Sequence, residues 1–116
     1  MEITGSEIII EILAEQGIET VFGYTGGNVL MIYDKLSQNR HGIRHILTAH
    51  EQGAVHACDG YSRSGKGIGV VIATSGPGAT NLITGLATAF ADSVPIVAIT
   101  GSVPVSSIGT DSFQEI

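Results

Sequence analysis

Two short stretches of this chain combine residue types that could support chemistry. Glu51 stands in the run Thr48-Ala-His-Glu-Gln-Gly-Ala54, where a strand-like stretch turns into a helix-like one. The second stretch, Ser75-Gly-Pro-Gly-Ala-Thr-Asn81, follows an apolar strand-like tract. No Lys or Arg lies within several residues of Glu51, so its carboxylate has no local cation to pair with. Because an unpaired carboxylate in a dry site can share a proton with a ligand, Glu51 is a candidate acid–base residue.

The same stretches also have purely structural interpretations. A glutamate in the first turn of a helix is stabilised by the helix dipole. Gly76-Pro77-Gly78 suits a tight turn from strand to helix, and the same glycines would let a planar ligand approach the backbone. The Gly76-Pro77-Gly78 run is not a dinucleotide-binding fingerprint, because Asn81 stands where the third glycine belongs. The chain also lacks the Gly-Lys-Ser/Thr sequence of a P-loop.

Histidines near Glu51 raise the question of a metal site. His50 and His56 are six residues apart, whereas a zincin helix places its two histidines at i and i+4 on one face. Ser75 lacks the flanking residues of a nucleophile elbow. We therefore expect neither a metal site nor a serine nucleophile, and we expect His41 and His45 to be solvated.

Charge is scarce and unevenly distributed along the chain. Of its 116 residues, 43% are apolar and 14% are charged, against about a quarter charged in an average soluble domain. All five Lys and Arg residues precede Gly67. We expect the second half to be buried partly in its own core and partly against another domain or subunit. The net charge of −6 argues against nucleic acid and anionic membranes as partners.

Other features bear on location and completeness. Cys58 is the single cysteine, which excludes an internal disulfide and fits a reducing cytoplasm; we expect it to be a buried helix residue. We see no secretory signal and no apolar run of the ~20 residues that a spanning helix needs. The chain stops at Ile116 without a helix-ending signal or polar tail, so residues 1–116 are expected to be one domain from a longer polypeptide.

Apolar spacing and turn signals predict alternating helices and strands. Thr4 to Glu7 is a capping box and Gly17 a C-cap, and Ile8, Ile9, Ile12 and Leu13 are spaced as the buried face between them. We further predict strands at 20–23, 43–47, 69–74 and 95–100, the last two buried, and helices at 29–36, 51–64 and 79–91. This order predicts a three-layer α/β/α fold with a mostly parallel sheet and a ligand at the carboxyl ends of its strands.

Four motifs resemble the N-terminal domain of thiamine-diphosphate-dependent enzymes over essentially the whole chain: Ile18-Glu-Thr-Val-Phe-Gly-Tyr-Thr-Gly-Gly27, Ala49-His-Glu-Gln-Gly-Ala54, Ser75-Gly-Pro-Gly-Ala-Thr-Asn81 and Pro95-Ile-Val-Ala-Ile-Thr-Gly101. The ending Ile108-Gly-Thr-Asp-Ser-Phe-Gln-Glu115 is most similar to the acetolactate (acetohydroxyacid) synthase large subunit. The resemblance implies that residues 1–116 are the pyrimidine-binding domain of an enzyme of branched-chain amino-acid biosynthesis. Such an enzyme condenses pyruvate with pyruvate or 2-oxobutanoate and releases CO2. Alternatives are another thiamine-diphosphate-dependent 2-oxo-acid decarboxylase, oxidase or ligase, or a non-catalytic assembly domain.

The resemblance also implies roles for particular residues. Glu51 matches the glutamate that hydrogen-bonds N1′ of the aminopyrimidine and promotes its imino tautomer, which removes the thiazolium proton. Gln114 matches a glutamine near the reacting centre, with Phe113 beside it. The implied catalytic residues are Glu51 and Gln114, and the implied cofactor-binding residues are Tyr24, Glu51, Pro77, Asn81 and Gln114.

The resemblance extends to cofactors and partners. It places the diphosphate and its Mg2+ on a separate domain, and the whole cofactor between this domain and a neighbouring subunit. A homodimer or homotetramer, a possible regulatory subunit and possible FAD on a middle domain are implied, and the isolated segment is expected to be inactive. Thr25, Asn28, Met31, Lys35 and Ser102 differ from the residues common in the synthases, which leaves the acceptor substrate open.

Overall fold

A parallel sheet of four strands forms the centre of the computed structural model, which describes residues 2–116. The strands are β1 (Thr20–Gly23), β2 (Arg44–Leu47), β3 (Gly69–Ala73) and β4 (Ile96–Thr100), in the spatial order β2-β1-β3-β4. The helices are α1 (Gly5–Glu15), α2 (Leu30–Ser37), α3 (Glu51–Arg63), α4 (Pro77–Thr80) and α5 (Ile83–Ala91), with 3-10 turns at Gly27–Val29 and Val105–Ser107. The predicted α/β fold with a parallel sheet is confirmed.

Alternate side chains of β3 enter two separate cores. Val70 and Ile72 pack with residues of α1 and α2, whereas Val71 and Ala73 pack with residues of α3 and Leu82. Every residue of β3 is buried. The β-branched run was therefore correctly predicted to be covered on both faces, and the helices form the outer layers of the fold.

The first helix begins and ends as its sequence predicts, but its buried face differs. The Glu7 side chain accepts a hydrogen bond from Thr4 N at 3.0 Å, and Glu7 N donates to Thr4 Oγ1 at 3.3 Å. Gly17 follows the helix with φ +72°. The prediction was wrong for Ile8 and Ile12, which are 42% and 50% exposed. Leu13 is buried as predicted, and Ile10, which was not predicted, is buried with it in the core that α1 shares with the sheet and α2.

Two predictions about the second half need correction. The helix predicted at 79–91 is two helices, because Asn81 ends α4 before α5 begins at Ile83. The strand predicted to be buried at 95–100 is β4, whose pairing within residues 2–116 is with β3 alone. It is therefore an edge strand of the described sheet, and Val97 is 43% exposed.

The histidines also differ from expectation. His45 lies on β2 and is half-buried, with its ring edge-on to that of Tyr33 at 4.9 Å. The prediction that His45 is solvated was wrong, because its Nε2 is buried. This burial lowers the pKa of His45. His41 Nε2 lies 2.9 Å from Glu11 Oε1 at the surface. No helix among the described residues has both the length and the apolar character needed to cross a bilayer.

Candidate functional site

The glycine-rich turns after β1, β3 and β4 meet at the carboxyl edge of the sheet. Gly26 packs so closely on the end of β3 that a Cβ there would lie 2.5 Å from Thr74 Cβ. A Cβ on Gly101 would lie 2.8 Å from the carbonyl oxygen of Asn28. Backbones of three connections thus form one surface, which supports the predicted ligand edge.

Glu51 is the first residue of α3 and lies at this edge. His50 caps the helix by accepting a hydrogen bond from Gln52 N at 3.0 Å on Nδ1. The helix start brings the Glu51 side chain inward, where it is only 8% exposed. Among residues 2–116 no Lys, Arg or His forms an ion pair with it. The carboxylate is therefore buried in a neutral environment.

Asn81 and Gly78 surround the two oxygens of this carboxylate. The side-chain amide of Asn81 donates to Glu51 Oε2 at 3.0 Å. Oε1 lies against Gly78, where a Cβ would be 3.4 Å away. The break between α4 and α5 leaves Asn81 as the C-cap residue of a single turn, with its amide directed at the acid. One oxygen is held by a neutral donor, and the other faces a residue without a side chain.

The turn before α4 requires glycine at position 76, where Gln114 packs against it. Gly76 has φ +58°, and a Cβ there would lie 2.7 Å from the carbonyl oxygen of Gln114. Gln114 itself lines cavities of about 190 Å³ and about 470 Å³. The structure thus places Gln114 beside the turn that adjoins Glu51, while neighbouring Phe113 is exposed.

The remaining two predicted cofactor residues lie at the same edge but are exposed. Tyr24 follows β1 directly and is 42% exposed. Pro77 begins α4 and is also exposed. The site predicted from the sequence therefore divides into a contacting pair, Glu51 with Asn81, and side chains that are available at the surface.

A network that sequence reasoning missed joins the turns after β1 and β3. The backbone N–H of Asn28 donates to Thr74 Oγ1 at 3.3 Å, and its side-chain amide donates to Ser75 Oγ at 2.5 Å. Ser75 is buried. The sequence held one signal for this network: Asn28 follows β1, and Thr74 and Ser75 follow β3. These strands are neighbours, and the carboxyl ends of parallel strands lie at the same edge of a sheet.

Tyr33 is a second residue whose place was missed. Tyr33 lies on α2, and its hydroxyl is buried and has no hydrogen-bond partner within the described part of the chain. A Cβ on Gly23 would lie 2.5 Å from this hydroxyl, so the glycine makes room for it. Burial, and then the charge of Glu51, raise the pKa of Tyr33 to about 12. The phenol is a protonated, unused donor near the acid.

Neither a metal cluster nor a reactive thiol accompanies this site in the described residues. No group of three His, Cys, Asp or Glu side chains between residues 2 and 116 is arranged to hold a metal ion. Cys58 is fully buried in α3, as predicted, and burial raises its pKa to about 12. Its thiol is therefore protonated at neutral pH and suited to packing.

A parallel α/β sheet with close-packed turns and a buried acid at its carboxyl ends defines a ligand-binding domain. Residues 3–116 match the family described as thiamine pyrophosphate enzyme, N-terminal TPP binding domain, and the chain belongs to this family. The resemblance stated from the motifs is confirmed.

Curated relatives narrow the comparison within this family. The chain is 56% identical over 116 residues to an acetolactate synthase of Arthrospira platensis, covering 98% of the chain and 20% of that protein. It is 58% identical over 116 residues to the acetolactate synthase large subunit of Buchnera aphidicola subsp. Schizaphis graminum, covering 99% and 20%. A probable acetolactate synthase large subunit of Methanocaldococcus jannaschii is 54% identical over 112 residues, with 97% and 19% covered. The chain is thus homologous to the N-terminal part of these proteins and spans about a fifth of their length.

Proposed function

We propose that residues 1–116 are the pyrimidine-binding domain of a longer enzyme of the acetolactate synthase type. The complete enzyme condenses pyruvate with pyruvate or 2-oxobutanoate, with loss of CO2, in branched-chain amino-acid biosynthesis. The observation that carries the proposal is the buried Glu51 carboxylate, which has a neutral amide on one oxygen and a glycine against the other. The names of the relatives support the choice of reaction.

The residues present fit the aminopyrimidine of thiamine diphosphate. A flat heteroaromatic ring needs close access to backbone, which Gly76 and Gly78 allow because neither carries a side chain. Its ring nitrogen needs a partner that accepts or shares a proton, and Glu51 is the buried acid at this edge. A cation would compete for that carboxylate, and within residues 2–116 none is paired with it.

In this proposal each side chain has a separate task. Thiamine diphosphate, when bound, supplies the carbon nucleophile that protein side chains lack. Glu51 holds a proton at the pyrimidine ring nitrogen, and Asn81 keeps the carboxylate oriented through its amide. Tyr24 and Pro77 border the ring, and Gln114 contributes at the reacting end. Burial of the acid keeps water from competing for the shared proton.

The proposal extends to parts outside this segment. The chain has no Lys or Arg after Lys66, which agrees with a diphosphate and Mg2+ held by another domain. Ile83 and Phe90 of α5 are exposed, Phe90 by 89%, and apolar side chains of this size favour a covering subunit. We therefore propose at least a homodimer. From the family resemblance we further propose a cytoplasmic enzyme whose middle domain can bind FAD. The large-subunit names of the relatives support a smaller regulatory partner.

Replacing Glu51 in the complete protein tests this function. Glu51→Gln keeps the shape of the side chain but cannot share a proton in the same way. We expect exchange of the cofactor C2 proton to slow by at least ~100-fold, the usual scale of acid–base effects. Glu15→Gln, which neutralises an exposed glutamate of α1, should leave exchange unchanged. Normal exchange in Glu51→Gln would favour a non-catalytic assembly domain.

Product analysis separates the synthase from related enzymes. With pyruvate as the sole substrate, the complete protein should form acetolactate; acetaldehyde or acetate would indicate a decarboxylase or an oxidase instead. The isolated residues 1–116 should form no acetolactate even with Mg2+ and cofactor, since the diphosphate domain is missing. Activity from the segment alone would contradict the proposed division of the site.

A further inference from the structure

The carboxylate of Glu115 closes a loop formed by residues 109–115. The Gly109 N–H donates to Oε1, and the Ser112 N–H donates to Oε2 at 3.2 Å. The Ser112 hydroxyl lies 3.4 Å from the same oxygen. These backbone bonds, with Gly109 first, lower the pKa of Glu115. The side chain is thus an ionised clamp that joins the start and the middle of the loop.

The backbone of this loop needs such a clamp. Asp111 has φ +54° and Gln114 has φ +62°, a left-handed conformation that residues with side chains rarely adopt. Gly109 is also left-handed, at φ +80°. Conformations of this kind persist only where the surrounding structure holds them in place.

The loop rests on the turn that follows β3. A Cβ at Gly76 would lie 2.7 Å from the Gln114 carbonyl oxygen and 2.9 Å from Gln114 Cβ. Two residues later, Gly78 adjoins Glu51 Oε1. Gln114 lines one cavity together with Ser75 and another together with Asn28. The position of Gln114 relative to the acid is therefore set through the loop backbone.

We propose that Glu115 is a positioning residue that acts through Gln114. Its carboxylate holds the 109–115 loop so that Gln114 stays in contact with Gly76 and reaches the reacting end of the site. The proposal rests on the proposed function, in which Gln114 acts on the reacting groups. A misplacement of about 1 Å at such a residue can cost on the order of 100-fold in rate.

A double-mutant cycle in the complete protein tests whether Glu115 acts through Gln114. Glu115→Ala should lower kcat/KM for the 2-oxo acid by about 10- to 100-fold and leave Tm nearly unchanged. In a Gln114→Ala background, the same substitution should cost less than about 2-fold further, because its effect passes through Gln114. Glu115→Gln keeps one acceptor oxygen and should fall between wild type and Glu115→Ala. Asp111→Asn removes a charge from the same loop and should not change the rate, since Asn tolerates left-handed backbone.

Amide hydrogen exchange gives a readout that does not depend on activity. The N–H groups of Gly109 and Ser112 should exchange at least about 10-fold faster in Glu115→Ala, while the strands of the sheet stay as protected as before. Unchanged exchange at both amides would contradict the clamp, whatever reaction the enzyme catalyses.

The outcomes separate this inference from the proposed function. Additive losses in the cycle, or full activity of Glu115→Ala despite faster exchange, would overturn the positioning role. If Glu51→Gln is inactive and the Glu115 variants are fully active, the positioning role alone fails. If Glu51→Gln is active, the proposed function fails, and the exchange experiment still decides whether Glu115 clamps the loop. If Glu115→Ala does not fold, Glu115→Gln in the same double-mutant cycle tests the positioning role instead.

Discussion

The two ends of the sheet use polar groups in opposite ways. At the amino end, Arg63 donates to Asp59 at 2.8 Å and to Asp92 at 2.6 Å, and Ser62 Oγ donates to Pro95 O at 2.7 Å while accepting from Gly69 N at 2.8 Å. At the carboxyl end, the charge of Glu51 is buried without a cation in the described chain.

The difference agrees with our proposal that the carboxyl end binds a ligand and that the amino end contributes to stability. At the amino end the Arg63–Asp92 pair is exposed to solvent and costs little to keep. The Asp59 side chain is only 13% exposed there, but it is paired with Arg63. A buried carboxylate and the unused Tyr33 hydroxyl cost free energy unless something further binds them. The buried acid of the carboxyl end therefore lacks, within the described residues, the cation that Asp59 has at the amino end. Substitutions at the two ends should have different consequences.

The largest effect is expected at the carboxyl end, from a second acid beside Glu51. Asn81→Asp would replace the amide 3.0 Å from Glu51 Oε2 with a like charge. Since two such carboxylates cannot both stay ionised, we expect cofactor affinity at pH 8 to fall by roughly 100-fold. Lower pH should restore part of it, because one proton between the two acids relieves the repulsion. Asn81→Ala removes the hydrogen-bond donor without adding a charge. Its cofactor affinity should fall by about 10-fold and should not recover at low pH. Calorimetric titration with the cofactor measures both variants.

At the amino end, the largest effect should be on stability and not on binding. A Cβ at Gly69 would lie 2.5 Å from the carbonyl oxygen of Cys58 and 2.8 Å from Cys58 Cβ. The Cys58 backbone cannot move aside as easily as the end of a flexible side chain. Gly69→Ala should therefore lower the free energy of unfolding by about 2 kcal/mol. Gly60→Ala is the control, because it lies in α3 with open space around it and should stabilise by about 0.5–1 kcal/mol. Denaturant unfolding measures both, and a large loss of cofactor affinity in folded Gly69→Ala would contradict the separation of the two ends.

The smallest effect is expected from the ion pairs of Arg63. The Arg63 and Asp92 side chains are 42% and 55% exposed, so solvent screens their pair. The loss of stability in Arg63→Ala should come mainly from Asp59, which is 13% exposed, and should stay below that of Gly69→Ala. Raising the salt concentration should narrow the difference from wild type, because ions screen exposed charges. Tm at low and high salt measures this. A loss as large as that of Gly69→Ala would mean that the amino end depends on charge more than on packing.

Much of the fold follows from local patterns in the chain. The β-branched run of β3 predicted a strand buried on both faces, and the capping box and Gly17 predicted both ends of α1. These features depend on residues close in sequence, so short patterns contain them. The outward direction of Ile8 and Ile12 could not be predicted, because it depends on where α2 and the sheet contact the helix.

For the candidate site, the sequence by itself pointed to Glu51, to the glycine-rich turns and to the edge of the sheet where the structure brings them together. It also determined the family, since several motifs occur in the right order. Only the tertiary structure decided that Asn81 is the donor to Glu51, that Asn28 bonds Ser75 and that the Tyr33 hydroxyl is unpartnered. These contacts join residues far apart in the chain. A hydrogen bond depends on distances of a few tenths of an ångström, and the packing of helices on the sheet sets such distances, not sequence spacing.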